Sequence, residues 1–297
     1  DFASSVEKEA MQLFQLINQA RTRPLGVIAS LGMDPDQVLA DLPELQEILT
    51  DGLPPLTFNI QLYKAAAGHV KDMLENGYYS HDSLDGRSCD DRIRDTGYDP
   101  LYAGEYLGLQ CLGDDFGDDN EEAMGKMIAL IFRKFFIPEL NSDAEERNIL
   151  NPLVKETGIS LIKGTSDLLG GICGDNLLLM AADFGLSSEE QSSCIVGLVY
   201  QDMDEDMLYS PGEGLNQAGV SIELVSGDDI SSVVSVYSSQ VGSFIFPAVP
   251  GEYRITVDAD GYEIVRDIEI GEEENIDLVF SIPLPNEESD TSEGSEP

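Results

Sequence analysis

The sequence predicts two domains of different class: an α+β layered domain over 1–190 and an all-β sandwich over 191–284, followed by an acidic tail at 285–297. Three observations carry this. A chain of 297 residues, 42% of them apolar, exceeds what one ordinary core needs and suits two. Up to about residue 188, helix-spaced apolar runs alternate with continuous ones, the pattern of helices layered on a sheet. After SSEEQSS the apolar residues fall into short alternating sets, the pattern of half-buried strands.

From Val6 to Arg23, Met11, Phe14, Leu16 and Ile17 recur near helical spacing, and Pro24 stops the run. A second helix follows DGLPPLTFN, with Leu62, Ala66, Val70, Met73 and Leu74 on one side, and Asn76-Gly77 ends it. Short helices are expected at Asp90–Asp95 and Glu145–Leu150, a longer one at Asn120–Phe136, and loops between them; Asn176–Ala182 reads as a buried strand. In the second domain Val220, Ile222 and Leu224, then Phe244 and Phe246, then Tyr253, Ile255 and Val257, then Ile276, Leu278 and Phe280 each line one strand face. Turns such as Asp260-Gly261 separate them, and about seven short strands in this length read as a sandwich. The tail NEESDTSEGSEP has no apolar anchor and is expected to be disordered, or the stub of a linker.

Charge bounds the partners. Aspartate plus glutamate number 57 against 16 lysine plus arginine, a formal charge of -41, which repels nucleic acid and anionic membranes and favours divalent cations and basic partners. The main cause of the excess is read as a solvated surface suited to salty surroundings. No stretch reaches the roughly 18 apolar residues that cross a bilayer. DFASSVEKEA reads as the N-terminus left by removal of a signal, or as an artificial boundary. The four cysteines form no CxxC, so zinc or a redox pair has little support. Pairing of sequence neighbours gives Cys89–Cys111 and Cys173–Cys194; three connectivities are possible, and four reduced cysteines are the alternative.

The sharpest local signal opens the second domain. Asp202, Asp204, Asp206 and Glu213 stand at positions 1, 3, 5 and 12 of a twelve-residue loop, with Leu208 at position 7 to offer its backbone oxygen: the ligand spacing of a calcium loop. Met207 occupies the place where that pattern wants glycine for its sharp turn. An unoccupied acidic loop is the alternative. Because like charges crowd the empty loop, removal of calcium should lower the second domain's melting temperature more than the first's. GLVYQDMDEDMLYSPGEGLNQAGVSIEL and GSFIFPAVPGEYRITVDADGYE resemble the carboxypeptidase-regulatory-like and SdrD B-like β-sandwich modules of bacterial surface proteins. The resemblance implies calcium in the acidic loop and a spacer or supporting role.

Only two histidines exist. His69 lies in a helix among Ala66, Val70 and Met73 and reads as a packed histidine with one hydrogen bond. His81, in YYSHDSLDGRS, sits in a polar loop where an imidazole reaches solvent, a carboxylate or a metal; Glu105, in the loop-like AGEYLG, offers the carboxylate.

LINQARTRPLG, GLPPLTFNIQLYKAAAGHVKDMLENGYYSHDSLDGRS, DRIRDTGY, AGEYLG, ERNILNPLVKETGIS and LLLMAADFG occur in this order over about 7–186. They resemble the bacterial branch of the CAP superfamily, the cysteine-rich secretory, antigen 5 and pathogenesis-related 1 proteins. The resemblance implies an α-β-α sandwich, export, and a cleft of two histidines and two glutamates that in some members binds a divalent metal. His81 matches the first cleft histidine and Glu105 the glutamate of the "GEN" motif. Glu146 replaces the second histidine, and no acid is found near IALIFRKFF for the second glutamate. A trio of His81, Glu105 and Glu146 would offer a divalent cation three ligands.

Three function classes remain. The leading one is an extracellular or cell-surface binding or structural protein whose partner is a protein or surface component. A lipid or small-molecule carrier is the second. A hydrolase is the third: it would use His81 and Glu105 as base and orienter with Glu146 as acid, or Ser80 or Ser83 beside His81, and no motif supports it.

Overall fold

The computed structural model describes residues 8–112, 121–143, 146–165, 176–189, 192–226 and 229–284. The tail 285–297 and Cys173 lie outside the described residues.

Helix α1 (Lys8–Thr22) ends where Pro24 was expected to stop it, but Pro24 also begins α2 (Pro24–Ser30). Proline lacks only a donor that a first helical turn leaves unpaired, so it opens helices as readily as it ends them. Two short helices not read from the sequence follow, α3 (Pro35–Asp41), capped by Asp34, and α4 (Gln46–Asp51). After the short β1 (Thr57–Phe58), Asn59 caps α5 (Ile60–Asn76) by accepting from Gln61 N at 2.8 Å, and Gly77 closes it at φ 65. A reciprocal Ser88–Asp91 capping box opens α6 (Cys89–Asp95). Strand β2 (Pro100–Cys111) and α7 (Glu121–Asn141) precede β3 (Glu156–Gly164) and β4 (Leu177–Ser187). The expected helix at 145–150 is absent over the described 146–150; Asn148, Ile149 and Leu150 instead donate their backbone N–H groups to the buried carboxylate of Glu139.

These strands form one sheet in the order β1-β3-β4-β2, with β4 antiparallel to both neighbours. β4 shows why the domain has three layers. Leu178, Met180, Ala182 and Phe184 join the core under α1 and α7, whereas Leu177, Leu179 and Ala181 join the one under α5. A strand buried on both faces reads as a continuous apolar run. At Gly158 on β3 the backbone of α5 passes so close, at Leu62 and Tyr63, that no side chain fits.

The second part has two sheets. One has the order β10-β9-β6-β7, from β6 (Gly219–Ser226), β7 (Asp229–Tyr237), β9 (Gly251–Ala259) and β10 (Tyr262–Ile270). The other has the order β11-β5-β8, from β5 (Ser193–Tyr200), β8 (Ser243–Ala248) and β11 (Asn275–Ser281). Val220, Ile222, Tyr253, Ile255 and Val257 of the first sheet share a core with Ile195, Val199, Phe244 and Phe280 of the second.

Besides the sandwich's own core, the two parts share one. Val196, Leu198, Tyr200, Leu208, Tyr209 and Val241 belong to the same buried cluster as Leu13, Phe14 and Ile17 of α1 and Val27 and Ile28 of α2. Gln19 exchanges two hydrogen bonds with the backbone of Tyr209, at 2.7 and 3.3 Å. Asp277 on β11 accepts from Thr22 Oγ1 at 3.0 Å and faces Arg23, and Asn275 Nδ2 donates to Pro55 O at 3.1 Å. Burial of such an apolar seam couples the unfolding of the halves it joins.

Both expected disulfide pairings fail. Cys89 and Cys194 are free thiols, and Cys111 is disulfide-bonded. Neighbourhood in sequence says nothing of Cβ separation, which decides whether two cysteines can be bridged.

Candidate functional site

Glu105 is the centre of the cleft. It lies on β2, not in a loop, directly across the ladder from Asp183 of β4, and both project toward the α5 and α6 layer. Its carboxylate is nearly all buried and is met from three sides. Arg92 on α6 donates Nη2 to Oε1 at 2.5 Å; His81 Nδ1 stands 2.7 Å from Oε2; His69 Nε2 lies 3.9 Å from Oε1. Arg92 is itself fixed, its Nη1 donating to the backbone oxygens of His81 at 2.8 Å and Arg87 at 3.2 Å. One guanidinium thus neutralises the buried carboxylate and pins the loop that carries His81.

The two histidines have opposite settings. His69 is 1% exposed and its Nε2 pairs with Ser80 O at 3.0 Å. Burial pushes its pKa below the usual imidazole value, against the attraction of Glu105. It holds the far end of the 77–80 turn, as its helical packing implied. His81 keeps 65% of its side chain exposed, and its hydrogen bond to Glu105 raises its pKa.

Glu146 does not join this group. Among the described residues, it belongs to no cluster of potential metal-ligating atoms, and its residue is exposed. The metal that the CAP resemblance implies is therefore not matched by this donor set, in which one imidazole and one carboxylate remain on the cleft side. An acid does stand three residues past IALIFRKFF, Glu139, but it is not hydrogen-bonded to Glu105, His81 or Arg92. Glu139 is fully buried and accepts from three consecutive backbone N–H groups at 2.5–2.7 Å and from the Tyr106 hydroxyl. That makes it a clamp on the 148–150 backbone. Ser83 is buried and hydrogen-bonds Arg92 rather than His81, which removes it as a nucleophile activated by that imidazole.

Beside His81 a groove of about 250 Å³ wraps the exposed edge of β2. Leu107, Leu109, Ile131 and Phe135 give it an apolar wall, and Tyr79, His81 and Lys134 give it a polar rim. Among the described residues no acidic side chain lines it, in a chain of charge -41.

The acidic loop has a definite shape. Carboxylate oxygens of Asp202, Asp204 and Asp206 lie within 4.8 Å of one another. Asp202 accepts from Asp206 N at 3.2 Å and Met207 N at 2.9 Å, and Asp206 from Leu208 N at 2.7 Å. Met207 adopts φ 61, the left-handed conformation that glycine supplies in related loops. Glu213 turns inward, accepting from Met203 N at 2.8 Å and Ser210 N at 2.7 Å, and burial raises its pKa. The backbone beyond Asp206 runs directly into Leu208 and Tyr209, the side chains that enter the seam between the two parts.

A three-layer α-β-α domain whose edge strand carries a buried, arginine-paired glutamate beside a loop histidine defines a class of cleft protein. The model of the cysteine-rich secretory protein family, CAP, matches residues 14–171, more than half of the chain, and the chain belongs to that family. An extracellular protein of Bacillus anthracis containing an SCP domain is 22% identical, with a TM-score of 0.30, over 50% of this chain; the overlap spans only 39% of that protein. An outer surface protein of Borrelia burgdorferi is 16% identical, with a TM-score of 0.31, over 52% of this chain and 89% of its own. No curated protein matches the chain.

The linkage of His81 has a definite sign. Its folded pKa lies above the ordinary imidazole value of 6.5, so its stabilising contribution is full below 6.5 and is lost as pH rises through the folded value. His69, with its pKa lowered, contributes above 6.5 and loses that as pH falls through its folded value. An NMR titration should give His81 a pKa above 6.5 that falls back in Glu105→Gln; a wild-type value at or below 6.5 contradicts the pairing.

Proposed function

We propose that this protein is a secreted or cell-surface CAP protein that works by binding and not by hydrolysis. The observation that carries the reading is the commitment of both Glu105 oxygens, one to Arg92 and one to His81. A general base needs a carboxylate or imidazole free to take a proton in the cleft. Here the buried carboxylate is neutralised, and although the imidazole keeps Nε2 free, no hydroxyl or thiol among the described residues is hydrogen-bonded to it as a nucleophile. What the cleft offers outward is a recognition surface: the His81 ring edge, Tyr79 and Lys134 above an apolar wall. Export agrees with family membership, and no described helix is long and apolar enough to cross a membrane.

The C-terminal sheets act as a brace in this reading. A module joined by a continuous core cannot serve as a loosely hinged spacer; it holds α1 and α2 rigid from below. Calcium at Asp202, Asp204 and Asp206, with the Leu208 backbone oxygen as a further ligand and Glu213 able to swing onto the ion, would cancel the repulsion of the crowded acids. Because Leu208 and Tyr209 follow directly, the ion would tighten the seam as well as the loop.

Calorimetric titration of chelator-stripped protein with calcium should give saturable heat that Asp204→Asn abolishes. Scanning calorimetry should then show one transition for both parts, raised as a whole by calcium, by about 2.7 kcal/mol at a hundredfold excess over Kd. Absence of heat, or a calcium-dependent transition of the second part alone, sinks the brace.

A second reading, a carrier of a small amphiphile, is favoured by the groove. Its apolar wall and its cationic Lys134 suit an apolar body with an anionic end. A fluorescent fatty-acid probe should bind saturably and lose at least about tenfold in affinity in Leu109→Asp, a loss of about 1.4 kcal/mol. No saturable binding removes this reading and leaves recognition of a macromolecular partner.

A further inference from the structure

Behind Glu105, away from the groove, the structure gathers a second set of groups. Asp183 is fully buried opposite Glu105 in the β2–β4 ladder. Cys89, the first residue of α6, points its free thiol at Asp183, with Sγ 3.8 Å from Oδ1. Cys89 Sγ and one oxygen each of Glu105 and Asp183 lie within 4.8 Å of one another. Among the described residues no group donates a hydrogen bond to the other Asp183 oxygen, Oδ2, although the side chain has no contact with solvent.

A buried carboxylate oxygen without a donor is costly, and two carboxyl groups facing each other in a dry interior require something positive between them. Arg92 serves Glu105 at 2.5 Å and is not hydrogen-bonded to Asp183. A shared proton satisfies the two carboxyls and leaves the thiol only a weak, long hydrogen bond to Asp183 Oδ1. A cation satisfies all three, and the thiol selects its class. Magnesium and calcium take oxygen ligands, whereas a soft sulfur beside two carboxylates suits a borderline divalent ion of the zinc type.

We propose that Cys89, Glu105 and Asp183 form a binding site for a divalent transition metal of the zinc class, distinct from the acidic loop and on the interior side of Glu105. Around such an ion ligand atoms stand about 3.3–3.8 Å apart, so small side-chain rotations close the site from its present spacing. The fourth position falls to water, which reaches the site past the half-buried Cys89. Binding releases the thiol proton and the proton lying between the carboxyls to solvent. Two positive charges replace two, and the buried charge does not change. The ion would fix Glu105 from behind as Arg92 and His81 fix it from in front. Glu105 thereby becomes the shared wall of an inner metal site and an outer cleft.

The test uses cobalt(II) with the intact protein, because a thiolate ligand adds a near-ultraviolet charge-transfer band that oxygen ligands do not give. The wild type and Cys194→Ser, which removes the other free thiol among the described residues, should both develop the band saturably, and zinc should displace it. Cys89→Ser, close in size, should lose the band. Asp183→Asn should bind at least about tenfold more weakly. Asp204→Asn, in the acidic loop, should leave the band unchanged, which separates this site from the calcium reading. No band in the wild type, or a band that survives Cys89→Ser in folded protein, overturns the proposal.

Discussion

The first domain is organised around one buried charge. A glutamate on an edge strand, facing a second carboxyl across the ladder, cannot be held in a protein interior unless a cation meets it. Arg92 is that cation, and satisfying it shapes what surrounds it. The guanidinium reaches the backbone of His81 and Arg87 as well as Glu105, so the 81–87 loop has its conformation because the charge must be compensated. His81 is then presented at the groove by a loop that cannot drift from the sheet. The same arrangement makes Glu105 a poor base and a good anchor.

The second constraint is the seam. Leu198, Tyr200 and Tyr209 share a buried cluster with α1 and α2, and Gln19 closes it with two hydrogen bonds. A boundary that is sharp in sequence style is absent as a packing boundary. Arg21, fully buried one turn past Asn18 on α1, ties the same helix to the carbonyls of Pro54, Ile149, Asn151 and Val154; burial lowers its pKa to about 9. α1 is thus held by the C-terminal sheets on one side and by the 149–154 segment on the other. Glu139 clamps that segment in turn.

Much of this was legible in the sequence and some was not, for physical reasons. The long helices showed themselves by period, and β4 by its unbroken apolar run. β2 did not: PLYAGEYLGLQC is an edge strand with two glycines and mixed burial, so its alternation is faint, and Glu105 read as a loop residue. His81 and Glu105 stood out as a loop imidazole and a nearby carboxylate, a weak signal that the family pattern strengthened, and the structure joins them at 2.7 Å. Arg92 and Asp183 were passed over because an arginine in a short helix and a lone acid after an apolar run signal nothing until the ladder register is known. The one clue was that Asp183 interrupts LLLMAADFG at a position where its neighbours on both sides are buried. Glu139 lay three residues past the stretch searched for a second acid. The cysteine pairings failed because adjacency in sequence carries no distance.

The central claim is that the Arg92–Glu105 pair holds the cleft. A double-mutant cycle measured by denaturant unfolding tests it most directly, with Arg92→Met, Glu105→Gln and both together. Breaking the pair from either side leaves an uncompensated buried charge and should cost about 3–5 kcal/mol, whereas removing both should cost much less than the sum. Additive losses would mean that the two side chains stabilise the fold independently, and would contradict a cleft organised by their pairing.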